Sequence, residues 1–213
     1  AFRRGPAPKV TASSRWKVAP GTAAANTARE RPSSIAVMAA SGTAEERRAA
    51  LTEVYARARV CTRCPHLAET RTQVVFGAGN ADADLMFVGE APGRDEDAQG
   101  LPFVGASGKL LTTLLEGIGL SREDVFIANV LKCRPPDNRN PTQPEIANCS
   151  EYLFAQLDLI RPTVVVTLGN FATRLLRDSP EGITRVRGQA EIRRIGPRTV
   201  RLLPSLHPAA ALY

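Results

Sequence analysis

Four cysteines, Cys61, Cys64, Cys133 and Cys149, are the residues of this chain whose spacing most directly suggests chemistry. Cys61 and Cys64 form a C-x2-C pair, a turn that holds two thiolates close enough for one metal centre. Cys133 and Cys149, with 15 residues between them, complete a set of four. Four thiolates suit zinc or an iron–sulfur cluster, and spacing does not choose between the two. The plainer alternative makes Cys133 and Cys149 small buried hydrophobes. Disulfides would need an exported chain, and no signal peptide with a long apolar core is present, so a reducing compartment fits better.

A second group of chemically able residues follows short apolar runs. GEAPGRDEDAQGLPFVGASGKLL, residues 89–111, opens with Gly89, Glu90 and Ala91 and crowds Asp95, Glu96 and Asp97 into one loop. Gly89, Pro92 and Gly93 permit a sharp turn that brings backbone amides near a ligand. For Asp95 the expectation is only a solvated turn. Phe103 stands in a loop between glycines, where an aromatic is either core or a stacking platform. Asn129 begins NVLKCRPPDNRNP, and His207, one of two histidines, ends LPSLHP with its proline.

The elements that must position these residues can be read from periodicity. Apolar runs at 85–88, 125–128, 163–168 and 200–203 predict strands, and helical patterns at 107–118, 144–160 and 170–177 lie between them. An amphipathic helix precedes them all, opened by the capping-box spacing of Thr43 and Glu46. Alternating strands and helices predict an α/β fold: a central four-stranded, mainly parallel sheet with helices on both faces. Ligands of such sheets bind at the carboxyl ends of the strands, where Gly89–Glu90, Asn129, Gly169–Asn170 and Ser205–His207 stand. GAGNAD at Gly77 is not a dinucleotide fingerprint, because a strand follows it instead of a helix.

Charge and composition bound the rest. Residues 1–37 hold seven Lys/Arg against one acid, +6, whereas residues 38–213 hold 21 against 20, +1. Overall basicity is therefore no argument for nucleic-acid binding by the folded part; local sites must carry it. Residues 1–42 read as a disordered extension and residues 43–213 as one domain. The acid-poor start also fits an organelle transit peptide, but sequence upstream of a start at Met38 is the preferred reading. No apolar run is long enough to cross a membrane.

The pieces CTRCPHLAETRTQVVFGAGNADADLMFVGEAPGRDEDAQGLPFVGASGKLL, NVLKCRPPDNRNPTQPEIANC, LGNFATRLL and HPAA closely resemble, in order, the family 4 uracil-DNA glycosylases. The resemblance spans about residues 50–210. It implies a DNA-repair hydrolase that releases uracil from single- or double-stranded DNA, acting as a cytoplasmic, nucleoid-associated monomer. It also implies a [4Fe–4S] cluster on the four cysteines. By the same resemblance, Phe103 stacks on a flipped uracil beside Gly89 and Ala91, and Asn129 bonds the O4 and N3 edge. His207 donates to O2 as the base departs. Glu90 is the expected carboxylate for water or the cationic sugar, with Glu96 a second candidate. Lys132, Arg134, Arg139 and Lys109 are expected on flanking phosphates. Leu212 is expected either as a wedge into the duplex or as core. The best-known branch of the superfamily has Asp in place of Ala91 and Tyr in place of Gly93, so water activation must differ here. A related branch traps the sugar covalently with a histidine in an inserted loop. No histidine lies between Cys133 and Cys149, which argues against such capture. The chain ends at Tyr213, where family members continue with a basic helix, and is expected to be truncated.

Overall fold

A computed structural model describes residues 42–212; expectations for residues 1–41 lie outside them. The first helix, α1 (Ala44–Arg59), begins at the expected capping box. Glu46 accepts from the Thr43 backbone amide at 2.6 Å, and Thr43 Oγ1 accepts from the Glu46 amide at 3.3 Å. Ala50, Val54 and Ala58, four residues apart, form its buried stripe. They pack with Tyr152 and Leu159 of α5 (Gln143–Ile160).

Between these helices come α2 (Pro65–Thr70), β1 (Ala78–Gly79), β2 (Leu85–Gly89), α3 (Arg94–Gln99), α4 (Ala106–Gly117) and β3 (Phe126–Asn129). After α5 follow β4 (Val164–Leu168), α6 (Asn170–Arg177), α7 (Ile183–Val186), β5 (Glu191–Ile195), β6 (Arg198–Ser205) and a 3-10 turn, Pro208–Ala211.

The strands form one sheet in the order β1-β3-β2-β4-β6-β5. β3, β2, β4 and β6 are parallel and correspond to the four apolar runs. The expectation of four strands is corrected to six, because an antiparallel strand closes each edge. Neither edge carries an apolar run: β1 is two residues long, and β5 (EIRRI) is mostly charged. Edge strands meet water and need no continuous apolar sequence.

Strand alternation divides the core. Met86, Val88, Ala128, Val165 and Leu202 face one side with Leu153, Leu157 and Ile160 of α5 and Ala172 and Leu176 of α6. Phe87, Ile127, Val166 and Leu168 face the other with Leu111 and Leu115 of α4. With both faces covered, only the strand ends remain open to a ligand. No described helix is long and apolar enough to cross a membrane.

Candidate functional site

β2 and β3 finish side by side, with Gly89 paired to Asn129. The ladder runs on past them: the Val130 amide donates to Gly89 O and the Leu131 amide to Glu90 O, both at 3.0 Å. Asn129 is 2% exposed, and its Oδ1 has no hydrogen-bond partner. A buried acceptor without a donor costs about 1–3 kcal/mol, so this atom is suited to a donor that a ligand brings. Gly89 makes the approach possible. A Cβ there would lie 2.4 Å from Asn129 Oδ1 and 2.6 Å from Phe103 Cζ.

Phe103 is both core and wall of the site. It packs with Phe87 and Leu111, and its ring edge reaches Gly89. Its φ is +53°, a conformation that a bulky side chain rarely adopts. Three residues enforce it. Arg122 donates from Nη1 to Phe103 O (3.0 Å) and from Nη2 to Pro102 O (2.6 Å). Gly108 lies so close that a Cβ would be 1.9 Å from Phe103 O. Glu96 Oε1 accepts from the amides of Val104 and Gly105, each at 2.9 Å.

His207 follows β6 and reaches the same place; its ring centroid is 5.5 Å from that of Phe103, with the planes tilted by 30°. Its Nδ1 accepts from the Ala209 amide at 3.2 Å. The neutral ring must then carry its proton on Nε2. Burial lowers the His207 pKa, opposed in part by the negative charge of Glu96. The imidazole is therefore a neutral Nε2–H donor at neutral pH. Gly169, with φ +91°, closes β4 beside it.

Glu90, next to Gly89, has its carboxyl pushed above the usual range by burial. Among the described residues nothing donates to that carboxylate. Ala91 packs against the core. The structure thus brings Gly89, Phe103, Asn129 and His207 together, with Glu90 one residue along the chain from Gly89.

The other expected site residues fall in different surroundings. Glu96 was a second catalytic candidate, but its Oε2 also accepts from the Gly93 amide at 3.1 Å. With both oxygens on loop amides, Glu96 braces the Phe103 loop. Lys132 cannot reach a phosphate. It is 1% exposed, and its Nζ donates to Asn129 O (2.9 Å) and Gln156 Oε1 (2.6 Å). Arg139 donates to both carboxylate oxygens of Glu145, which holds that acid at about 2. Arg134 Nε bonds Asn138 Oδ1 at 2.7 Å. Lys109 is exposed, as is Leu212 at 41%. Asp95 is solvated as expected, whereas Asp97 is buried and accepts the Thr72 amide. Sequence reasoning missed Arg122 and Gly108, because a clamp on main-chain carbonyls leaves no motif. Phe103 in a glycine-flanked loop was the signal that something must hold it.

The four cysteines line one small cavity with Arg63, Leu67, Arg71, Leu131 and Asn148. Cys61 follows α1, Cys64 caps α2, Cys133 follows β3 and Cys149 lies on α5. All are free thiols. Among the described residues no group of three side chains is placed for a single metal ion. Burial pushes Cys149 up to about 12 and raises Cys133, and the neighbouring thiols add to both shifts. N–H groups point at sulfur, among them Arg71 Nη1 at Cys133 (3.2 Å), the Lys132 amide at Cys149 (3.2 Å) and Asn148 Nδ2 at Cys64 (3.6 Å). Such donors stabilise the thiolate form that a metal requires.

Known proteins share this arrangement of sequence. The description "Uracil DNA glycosylase superfamily" matches residues 76–213. The Type-4 uracil-DNA glycosylase of Archaeoglobus fulgidus is 52% identical over 158 residues, 72% of this chain and 78% of that protein. That of Thermotoga maritima is 48% identical over 161 residues, 75% of this chain and 81% of that protein. A Type-5 uracil-DNA glycosylase of Pyrobaculum aerophilum is more distant, 32% identical over 179 residues, 70% of this chain and 78% of that protein. With its strand-end site and its cavity of four thiols, the chain belongs to the uracil-DNA glycosylase superfamily, in its Type-4 branch.

Proposed function

We propose that this chain hydrolyses the N-glycosidic bond of deoxyuridine in DNA, releasing uracil and leaving an abasic site. The observation that carries the reading is the buried, unpartnered Oδ1 of Asn129 beside the Phe103 ring. Uracil supplies what that atom lacks: its N3–H donates to Oδ1, and the Asn129 amide NH2 donates to O4. Cytosine has no N3–H and presents a donor at C4, so it opposes both contacts. The target base must leave the stack to reach such a pocket.

As the C1′–N1 bond breaks, its electron pair goes to the base, and charge gathers on O2. The neutral Nε2–H of His207 meets that charge without deprotonating. Half-buried Glu90 orients the water whose oxygen bonds to C1′. The water's proton passes through that carboxylate to solvent or the departing base.

The four cysteines would hold a [4Fe–4S] cluster; the shared cavity and the N–H groups aimed at sulfur fit that group. When bound it supplies iron–thiolate bonds that tie α1, α2, the loop after β3 and α5 together.

The other reading is a non-catalytic iron–sulfur protein that binds nucleic acid. Incubation with a uracil-containing oligonucleotide followed by alkali separates the two. Strand breaks at uracil, weakened in Asn129→Asp, are the expected result. Tight binding without breaks would overturn the enzyme reading.

A further inference from the structure

Charge on the described residues is divided unevenly. Residues 183–201 carry six arginines against Glu191, +5, whereas the other described residues carry 15 basic against 19 acidic side chains, −4. The strand-end site holds the carboxylates of Glu90 and Glu96, with Asp95 exposed in the same loop. A polyanion approaching that site is repelled locally and must be held from elsewhere.

The arginine-rich stretch comprises α7, β5 and β6. Register pairs Ile192 with Arg201 and Arg194 with Thr199, and all four are exposed, so they share the solvent face of this ribbon. Arg185 and Arg187, just before β5, are exposed too. Glu191 is occupied by Arg177 and Arg193. Among the described residues no carboxylate pairs with Arg185, Arg187, Arg194 or Arg201. The ribbon begins beside the site. The Gly188 amide donates to Pro204 O at 2.8 Å, and Pro204 precedes His207 by three residues. From there it runs down β6, and between the level of Pro204 and that of Thr199 the charged face extends roughly 17 Å.

We propose that the β5–β6 ribbon, through Arg185, Arg187, Arg194 and Arg201, is a second DNA-binding surface. It engages the phosphodiester backbone of the duplex away from the extruded nucleotide. Charge complementarity selects a polyanion, and the ribbon's continuity with the His207 end of β6 selects the DNA already bound at the site. The proposal rests on the DNA substrate of the proposed function.

The test compares the parent chain with R185Q/R187Q/R194Q/R201Q and with a control, R57Q/R59Q, on the exposed face of α1. Three properties are read: melting temperature, the salt dependence of binding to an undamaged 30-base-pair duplex, and uracil release from a five-nucleotide single strand. Each phosphate contact contributes about 0.9 to the slope of log affinity against log salt. The quadruple variant is expected to melt like the parent and to release uracil from the short strand at the parental rate. Its salt slope should fall by about 2 or more and its duplex affinity at low salt by about tenfold, with the control unchanged. An unchanged slope, or an equal loss in the control, overturns the surface. Absence of uracil release by the parent would instead overturn the proposed function, while the duplex titration still reads the ribbon.

Discussion

At the scale of single residues, the proposed reaction separates recognition from catalysis. In it Asn129 and Phe103 meet the base before any bond breaks, whereas His207 faces charge that exists mainly in the transition state. Removal of one such donor costs about 10²–10³ in rate. His207→Ala is therefore expected to slow single-turnover uracil release by that factor and leave binding of abasic DNA nearly unchanged. Equal losses in both would place His207 in ground-state binding. Glu90 makes a sharper case because its pKa is raised by burial. The ionised form orients water, so the acid limb of the rate profile should lie above the ordinary carboxylate range. Glu90→Gln should abolish that limb and lower the rate by about 10² or more. The same variant should melt higher at neutral pH. A carboxyl whose folded pKa exceeds its unfolded one binds more protons when folded, so stability is lost as pH rises through that window and stays lost above it. A Glu90→Gln enzyme that keeps its acid limb would assign the titration to another group.

At the scale of elements, much was legible in advance. β2, β3, β4 and β6 follow the four apolar runs, and α6 occupies residues 170–177 as its pattern predicts. These elements are buried, and burial writes itself into sequence as apolar periodicity. The Thr43–Glu46 capping box is read as easily, since two hydrogen bonds fix two residue types. β1 and β5 were not legible because edges need no apolar signature. Lys132 was misread because a lysine beside a cysteine and an arginine looks like surface, and only tertiary packing supplies Asn129 O and Gln156 as its partners. Arg122 belongs to the same class, since its partners are carbonyls 19 and 20 residues earlier. Those bonds hold Phe103 at φ +53°, a geometry that costs about 1 kcal/mol or more unless enforced. Arg122→Met should let the loop relax and lower kcat/KM on uracil-containing DNA by about tenfold, the equivalent of ~1.4 kcal/mol. Absorbance of the proposed iron–sulfur centre should not change, because the clamp lies on the α4 side of the sheet and the thiols on the other. An undiminished kcat/KM would mean that Gly108 and Glu96 suffice to hold Phe103.

At the scale of the whole molecule, the thiol cavity and the strand-end site are joined through a short path and supported separately. The Lys132 amide donates to Cys149 Sγ, and the Lys132 ammonium donates to Asn129 O. Asn129 is nonetheless fixed by the sheet itself, since its partner Gly89 and the bonds from Val130 and Leu131 continue the ladder. The elements that carry the thiols have no sheet ladder behind them. Cys61 and Cys64 lie between α1 and the six-residue α2, and without metal their contact with α5 rests on packing and a few polar contacts, Arg63 with Glu151, Asn148 with Arg63 O and Arg47 with Leu159 O. Binding of the proposed centre would require the thiolate forms of Cys133 and Cys149, whose pKa values burial raises, so its affinity should weaken as pH falls. Loss of the centre should consequently unfasten α1 and α2 from α5 well before it disturbs Asn129. Oxidative removal of the cluster, or Cys133→Ser, is expected to lower the melting temperature by about 10 °C or more. For a domain of this size that corresponds to ~3–5 kcal/mol. Uracil release by the fraction still folded at low temperature should fall by less than about threefold. Calorimetry of loaded and stripped protein, with excision assays on the same samples, reads both quantities. Equal melting temperatures would show that the cluster carries no structural load, and a selective loss of excision at unchanged stability would show that it acts on Asn129 through Lys132.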